Sequence, residues 1–282
     1  VLLGDGDDSL RLEGGIMLGL ADGGAGSDTL ELTGPGFFAP GFQTGFENAI
    51  KTGPGSFNLQ AMPGTGHLTI HEGALQIAGS SWLSSPHRLS VTIRPDGTGG
   101  QLQFGSFSLG TFLAGKLTVA AEAGVYVNGT VWDVATAGTR FNSSFGSVDL
   151  PAPTAIRSFS SGMFKIGGVD RRYRVSVAVA PMAPMMADPT ARSFAAALDG
   201  ATPVARGEVA TLIAGLQAMP DAAGLVATVG ALTPRLPGLA LEAGASALDT
   251  GLAVLASRPG SIAGAGLVAP QGLSFVAQGR PA

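Results

Sequence analysis

The sequence predicts a mainly β fold: the last coils of a right-handed parallel β-helix, a β cap, and a small α-helical region. Three observations carry that expectation. Two glycine/aspartate units recur 20 residues apart, counted from Asp8 to Asp28, and alternating apolar strands follow them as far as Phe104. An Asn128-Gly129 pair then sits between β-branched and aromatic runs. Beyond Pro181 the strand pattern gives way to alanine-rich segments opened by proline. The expected domains are 1–116 (coils), 117–180 (cap) and 181–282 (helices).

Composition narrows the function classes. Of 282 residues 45% are hydrophobic and only 13% charged, against about 25% charged in ordinary globular domains. The 44 glycines are roughly twice the usual share, which favours a fold built on many tight turns. A formal net charge of −4 with 16 Lys+Arg gives no electrostatic basis for binding nucleic acid. Zero cysteines rule out disulfides and thiolate metal sites and suit an exported bacterial chain. Val1 opens the sequence with no signal peptide and no membrane-length apolar run, so a fragment of a longer protein is expected.

The first element is a pair of units, Leu3-Gly4-Asp5-Gly6-Asp7-Asp8-Ser9-Leu10 and Gly23-Gly24-Ala25-Gly26-Ser27-Asp28-Thr29-Leu30. Both follow the glycine/aspartate turn pattern G-G-x-G-x-D-x-U-x, with Leu3 where the first glycine belongs. Their spacing is about one coil of a β-helix, not the nine residues of a tandem calcium roll. Each runs into a strand, Ser9–Leu12 and Thr29–Leu32, whose leucines alternate as a one-sided strand requires. Phe46-Glu47-Asn48 with Gly55–Leu59 forms the next coil, and His67–Ile70 with Gly73–Ile77 the one after. Leu89–Ile93 and Gln101–Phe104 continue the series. No coil buries its apolar face alone, so neighbours must stack.

In the cap, Asn128-Gly129 predicts a two-residue hairpin pairing Val127 with Thr130, Tyr126 with Val131 and Val125 with Trp132. Tyr126 and Trp132 are one of two tyrosines and one of two tryptophans, and an aromatic plug over the end of a core is the expected use. Tyr173, Val175, Val177 and Val179 alternate as a last half-buried strand. Pro181–Met186 reads as a hinge with methionine gap-fillers. Asp188-Pro189 opens a helix to about Leu198, Thr202-Pro203 and Pro220-Asp221 open short ones, and 238–257 forms a longer one.

Several of these strings resemble the C-terminal passenger region of bacterial autotransporters. Leu117-Thr118-Val119, Gly124, Tyr126, Gly129, Trp132, Val134 and Ala137, then Phe145–Pro151, are similar to the capping autochaperone segment. Phe46-Glu47-Asn48, Gly55, Phe57, Leu59 and Leu68–Ile77 resemble its β-helical stalk. Ser193–Asp199, Leu212–Leu216, Leu232-Thr233-Pro234 and Ala256-Ser257-Arg258 resemble the helical linker, and Phe275–Gly279 the start of the barrel. The resemblance implies a non-enzymatic secretion and display module at the cell surface, associated with the outer membrane. Its partner would be the outer-membrane β-barrel of the same precursor, and Tyr126, Gly129, Trp132 and Val134 would be structural cap residues.

Asp8 and Asp28, with Asp5 and Asp7 nearby, are candidate Ca²⁺ ligands, since calcium takes six to eight oxygens. The competing reading gives glycine the positive φ and aspartate a local turn hydrogen bond; the full-coil spacing favours it. Gly6-Asp7-Asp8-Ser9-Leu10 lacks the histidine and orienting group that a serine nucleophile needs. His67 and His71 lie about 13 Å apart if extended, too far for a helical metal pair. An adhesin would instead use Pro35–Gln43, where Phe37, Phe38 and Phe42 form an exposed patch for a host or cell-surface ligand, or fold back as a loop core. A calcium-binding secreted protein and an adhesin are the alternatives.

Overall fold

A computed structural model describes residues 1–38, 43–59, 66–78, 82–83, 87–105 and 111–233. The chain divides into two compact units, Val1–Ala180 and Pro181–Ala282. The first is mainly β, a curled mixed sheet. Its strands open with β1 (Leu2–Asp5), β2 (Ser9–Met17), β3 (Ala21–Ala25), β4 (Thr29–Phe38), β5 (Gln43–Thr44) and β6 (Asn48–Thr52). They continue as β7 (Ser56–Leu59), β8 (His67–Ile70), β9 (Gly73–Ile77), β10 (Trp82–Leu83), β11 (Arg88–Ile93) and β12 (Gly100–Phe104). The last are β13 (Phe112–Leu113), β14 (Lys116–Ala121), β15 (Val131–Ala137), β16 (Ser147–Asp149), β17 (Arg157–Ile166) and β18 (Val169–Val179).

One sheet of 13 strands runs β16-β14-β11-β8-β6-β4-β7-β9-β12-β15-β18-β17, with β2 also paired to β4. Pairing is parallel throughout except where β18 meets β15 and β17. Partners lie 20 residues apart in Ser9/Thr29, 19 in Thr29/Asn48, 19 in Asn48/His67 and 21 in His67/Arg88. The interval then lengthens to 28 in Arg88/Lys116 and 31 in Lys116/Ser147. Because the register is kept, inward side chains stack in columns. One is Leu10, Leu30, Ala49, Leu68, Leu89, Leu117, Val148. Another is Phe57, Leu75, Leu102, Ala135, Tyr173. These columns are the core, and alternation along each strand is what builds them. β14 extends the parallel run across the 116/117 boundary drawn from the sequence.

The expected hairpin at Asn128-Gly129 does not form. Residues 125–127 are not a strand, and β15 pairs instead with β12 and β18. Asn128-Gly129 is a turn closed by Thr130 N donating to Val127 O at 3.2 Å. Only Gly129 has positive φ, at 83°, so the type I′ geometry that a two-residue hairpin needs at both positions is missing. The turn docks on β18: Gly129 N donates to Val177 O, and Asn128 Oδ1 accepts from Val179 N. The two-residue hairpin lies elsewhere, between β17 and β18. There Gly167 and Gly168 take φ of 61° and 81° and Ile166 pairs Val169.

The second unit contains α1 (Pro189–Ala201), α2 (Gly207–Gln217) and α3 (Ala222–Leu232). Asp188 caps α1 through Ala191 N, and Asp221 caps α3 through Gly224 N, as short polar side chains at this position do. Thr202-Pro203 starts only a 3₁₀ turn, and α2 begins later, at Gly207. Pro181–Met186 is pinned: both carboxylate oxygens of Asp199 accept amides, from Met182 and Ala183. Met182 and Met186 are buried. Among the described residues no helix is long and apolar enough to cross a membrane. The helix expected at 238–257 and the barrel-like start at 275–279 lie outside the described residues.

Candidate functional site

The four residues singled out for the cap lie where the sheet changes from parallel to antiparallel. Tyr126 is fully buried and donates its hydroxyl to Glu122 O at 2.8 Å. Trp132, on β15, is 4% exposed and donates Nε1–H to Arg94 O at 3.1 Å. Their rings meet edge-on, 5.9 Å between centroids. Phe159 of β17 completes the cluster, 5.5 Å from Tyr126 and 6.5 Å from Trp132, distances at which aromatic pairs attract beyond their buried area. The Arg157 guanidinium lies 5.0 Å above the Tyr126 ring and 5.6 Å from Phe159. Burial pushes the Tyr126 phenol up to about 12, against the pull of Arg157; burial also lowers Arg157.

Val134 is buried through a bulge. The register of β15 against β18 shifts between Asp133 and Ala135, so Val134 and Ala135 both turn inward and both are fully buried. Gly129 is exposed with open space around its Cα, so its positive φ, not crowding, requires glycine there. A second edge-on pair, Phe145 with Tyr173 at 4.8 Å, closes the same end. Sequence reasoning missed Phe159, Arg157 and Phe145 as parts of this plug. Gly167-Gly168 between alternating runs was the signal that would have exposed β17, and with it Phe159.

The glycine/aspartate turns use their carboxylates on backbone amides. Asp28, fully buried, accepts from Asp8 N at 2.7 Å, and Glu47 accepts from Asp28 N at 2.9 Å. Asp7 accepts from Ser27 N at 2.8 Å. Asp8 Oδ2 and Asp28 Oδ2 are buried with no hydrogen-bond partner. Among the described residues, no group of three or more His, Asp or Glu could hold a metal. Chemically, the Asp8 and Asp28 turns each hold one spare carboxylate oxygen beside backbone amides that donate to carboxylates.

Two hollows share Gln101 and Asp133 on the outer face. The larger, about 520 Å³, is bordered by Glu72, Thr98 and Trp132, and the smaller, about 370 Å³, by Gln103, Thr136 and Arg172. Asp133 is occupied by Arg172 and by Arg174 Nε at 2.7 Å. Arg94 joins Glu72 (3.5 Å) to Glu122 (2.9 Å).

The exposed phenylalanine patch expected at 35–43 does not exist as drawn. Phe38 is fully buried and Phe37 half-buried, because β4 runs through both and turns Phe38 into the core; Phe42 lies outside the described residues. His67 begins β8 and is exposed, while His71 follows that strand and its Nδ1 bonds Thr92 Oγ1 at 3.1 Å. Comparison with protein-family models, with curated proteins and with solved structures finds no match to this chain.

Proposed function

We propose that Val1–Ala180 is a stack of right-handed parallel β-coils closed by a β cap, and that it works as a non-enzymatic stalk and folding cap of autotransporter type. The module would fold and display an upstream passenger at the cell surface, with the outer-membrane barrel of its own precursor as partner. The observation that carries this reading is the change of pairing at β15. Parallel strands succeed one another up to that point, antiparallel β18 takes the next place, and Tyr126, Trp132 and Phe159 fill the end of the core. An open end of stacked strands templates aggregation, and an antiparallel hairpin with an aromatic plug removes that hazard.

The same hairpin suits nucleation. Its strands are joined by two residues, whereas each parallel pairing must first close some 18 residues or more, as in Ser56/Ala74, and loop closure costs more entropy as the loop lengthens. Folding kinetics test this. Trp132→Ala and Leu30→Ala each delete a buried anchor worth about 2–5 kcal/mol. Nucleation at the cap requires that Trp132→Ala slow refolding and Leu30→Ala mainly speed unfolding. The opposite pattern overturns the proposal.

A second reading, calcium binding by the glycine/aspartate turns, draws support from the spare buried oxygens of Asp8 and Asp28. It requires a calcium-dependent melt. A surface ligand, as an adhesin would take, would meet outer strand faces and not Phe38.

A further inference from the structure

The ends of the first unit differ. At the cap, aromatic rings fill the core. At the other end β2 pairs with β4 alone, leaving its outer edge without a strand among the described residues. Leu10 and Leu12 are only half-buried, although the next members of their columns, Leu30 and Leu32, are fully buried. Leu2, Ile16 and Leu18 on the same end are 73%, 71% and 73% exposed.

The turns at this end carry the pattern of a joint. Asp28 takes the amide of Asp8, 20 residues earlier, and Glu47 takes that of Asp28, 19 residues earlier. Asp8 stands at the equivalent place in its own turn, but among the described residues no amide donates to its carboxylate, whereas Asp28 takes one on Oδ1. The glycines repeat the lesson. A Cβ on Gly24 or Gly26 would lie 1.9 or 2.0 Å from the carbonyl oxygens of Gly4 and Gly6. Gly4 and Gly6 hold the same kind of backbone, φ 110° and 126°, yet nothing lies within 4 Å of a Cβ built on either. Their conformation is the one that accommodates carbonyls stacked above it.

We propose that the outer edge of β2, with β1 beside it, is a docking surface for one more parallel coil of the same chemistry. That coil is about twenty residues long, the spacing of Ser9/Thr29, and carries a glycine/aspartate turn. Its strand lies parallel on Ser9–Met17, a turn amide meets the Asp8 carboxylate, and two turn carbonyls sit over Gly4 and Gly6. The inference rests on the stacked-coil reading proposed above. A second copy related by a two-fold axis fits less well, since β2 against β2 is antiparallel and brings no turn amide over Asp8.

The test fuses a second copy of residues 1–20 directly ahead of Val1 in the full chain. Amide hydrogen exchange and thermal melting are then compared with the unfused chain, with the β9 and β12 amides reporting that the rest is folded. Docking slows exchange at β2 by about tenfold or more and raises the midpoint by several degrees. Asp8→Ala cancels much of that gain in the fused chain and changes the unfused chain little. Unchanged β2 exchange, or an equal effect of Asp8→Ala in both chains, overturns the proposal. So does self-association of the unfused chain that protects β2, which would make a second copy the occupant. The folding-rate comparison at Trp132 is independent of these readouts, so failure of the docking inference is distinguishable from failure of the folding-cap reading.

Discussion

Lys51 occupies a core column between Leu32 and Ile70 and is fully buried. Its ammonium donates to Gly53 O at 2.6 Å, Thr52 O at 2.8 Å and, more distantly, Glu72 O at 3.4 Å. The charge ties the end of β6 to the turn before β9. Lys51→Met keeps most of the apolar stem and deletes the donor. Two close, part-buried carbonyls then lose their donor, at about 1–3 kcal/mol each, and relief from burying a charge returns part of that loss. The expected net destabilisation at pH 7 is about 2–4 kcal/mol, read by urea unfolding of the two chains. Burial holds the Lys51 pKa below its usual 10.5, with Glu72 pulling the other way. Between the folded and unfolded pKa values the unfolded chain binds more protons, so Lys51 makes stability rise with pH across that window. The rise is at most about 1.4 kcal/mol per pH unit, and it levels off above the unfolded value. The difference between wild type and Lys51→Met therefore widens toward high pH. A methionine variant as stable as the parent at pH 7 would refute the carbonyl cradle, and a pH-independent difference would refute the depressed pKa.

Two further outcomes are expected. Gly24→Ala must both hold φ near 101° and clear a carbonyl 1.9 Å away, whereas Gly129→Ala meets only the φ penalty of about 1–2 kcal/mol; equal melting losses would show that close stacking is not what selects glycine at position 24. If Asp28 serves only as acceptor of the Asp8 amide and neither carboxylate holds a metal, millimolar calcium and EDTA leave the thermal midpoint where it was, and a melt that collapses in EDTA would make them metal ligands.

The strands were legible because each needs only a period of two. Leu68 and Ile70, or Leu89, Val91 and Ile93, announce their inward face without knowledge of the partner. Asp188-Pro189 and Asp221 were legible as helix starts because a cap is a local hydrogen bond. Asn128-Gly129 marked a turn, but local chemistry does not say which strands a turn joins. The edge offered by β18 captured Val131 and Trp132, so the paired run is Trp132 with Val175 and not with Val125. Phe38 was misplaced for a related reason: Pro35 and Gly36 read as a loop, yet β4 continues through them. Lys51 drew no notice because nothing in the local string Asn48–Thr52 tells a buried lysine from an exposed one; its carbonyl partners arrive from two separate turns.

The lengthening intervals of the parallel columns have a mechanical meaning. A strand pulled off the β2 end frees the 19–21 residues that separate it from its neighbour, about 65–75 Å of extended chain. At β14 and β16 the same event frees 28–31 residues, about 90–110 Å. Pulled from the β2 end, such a chain would lengthen in discrete steps, short ones first and long ones last.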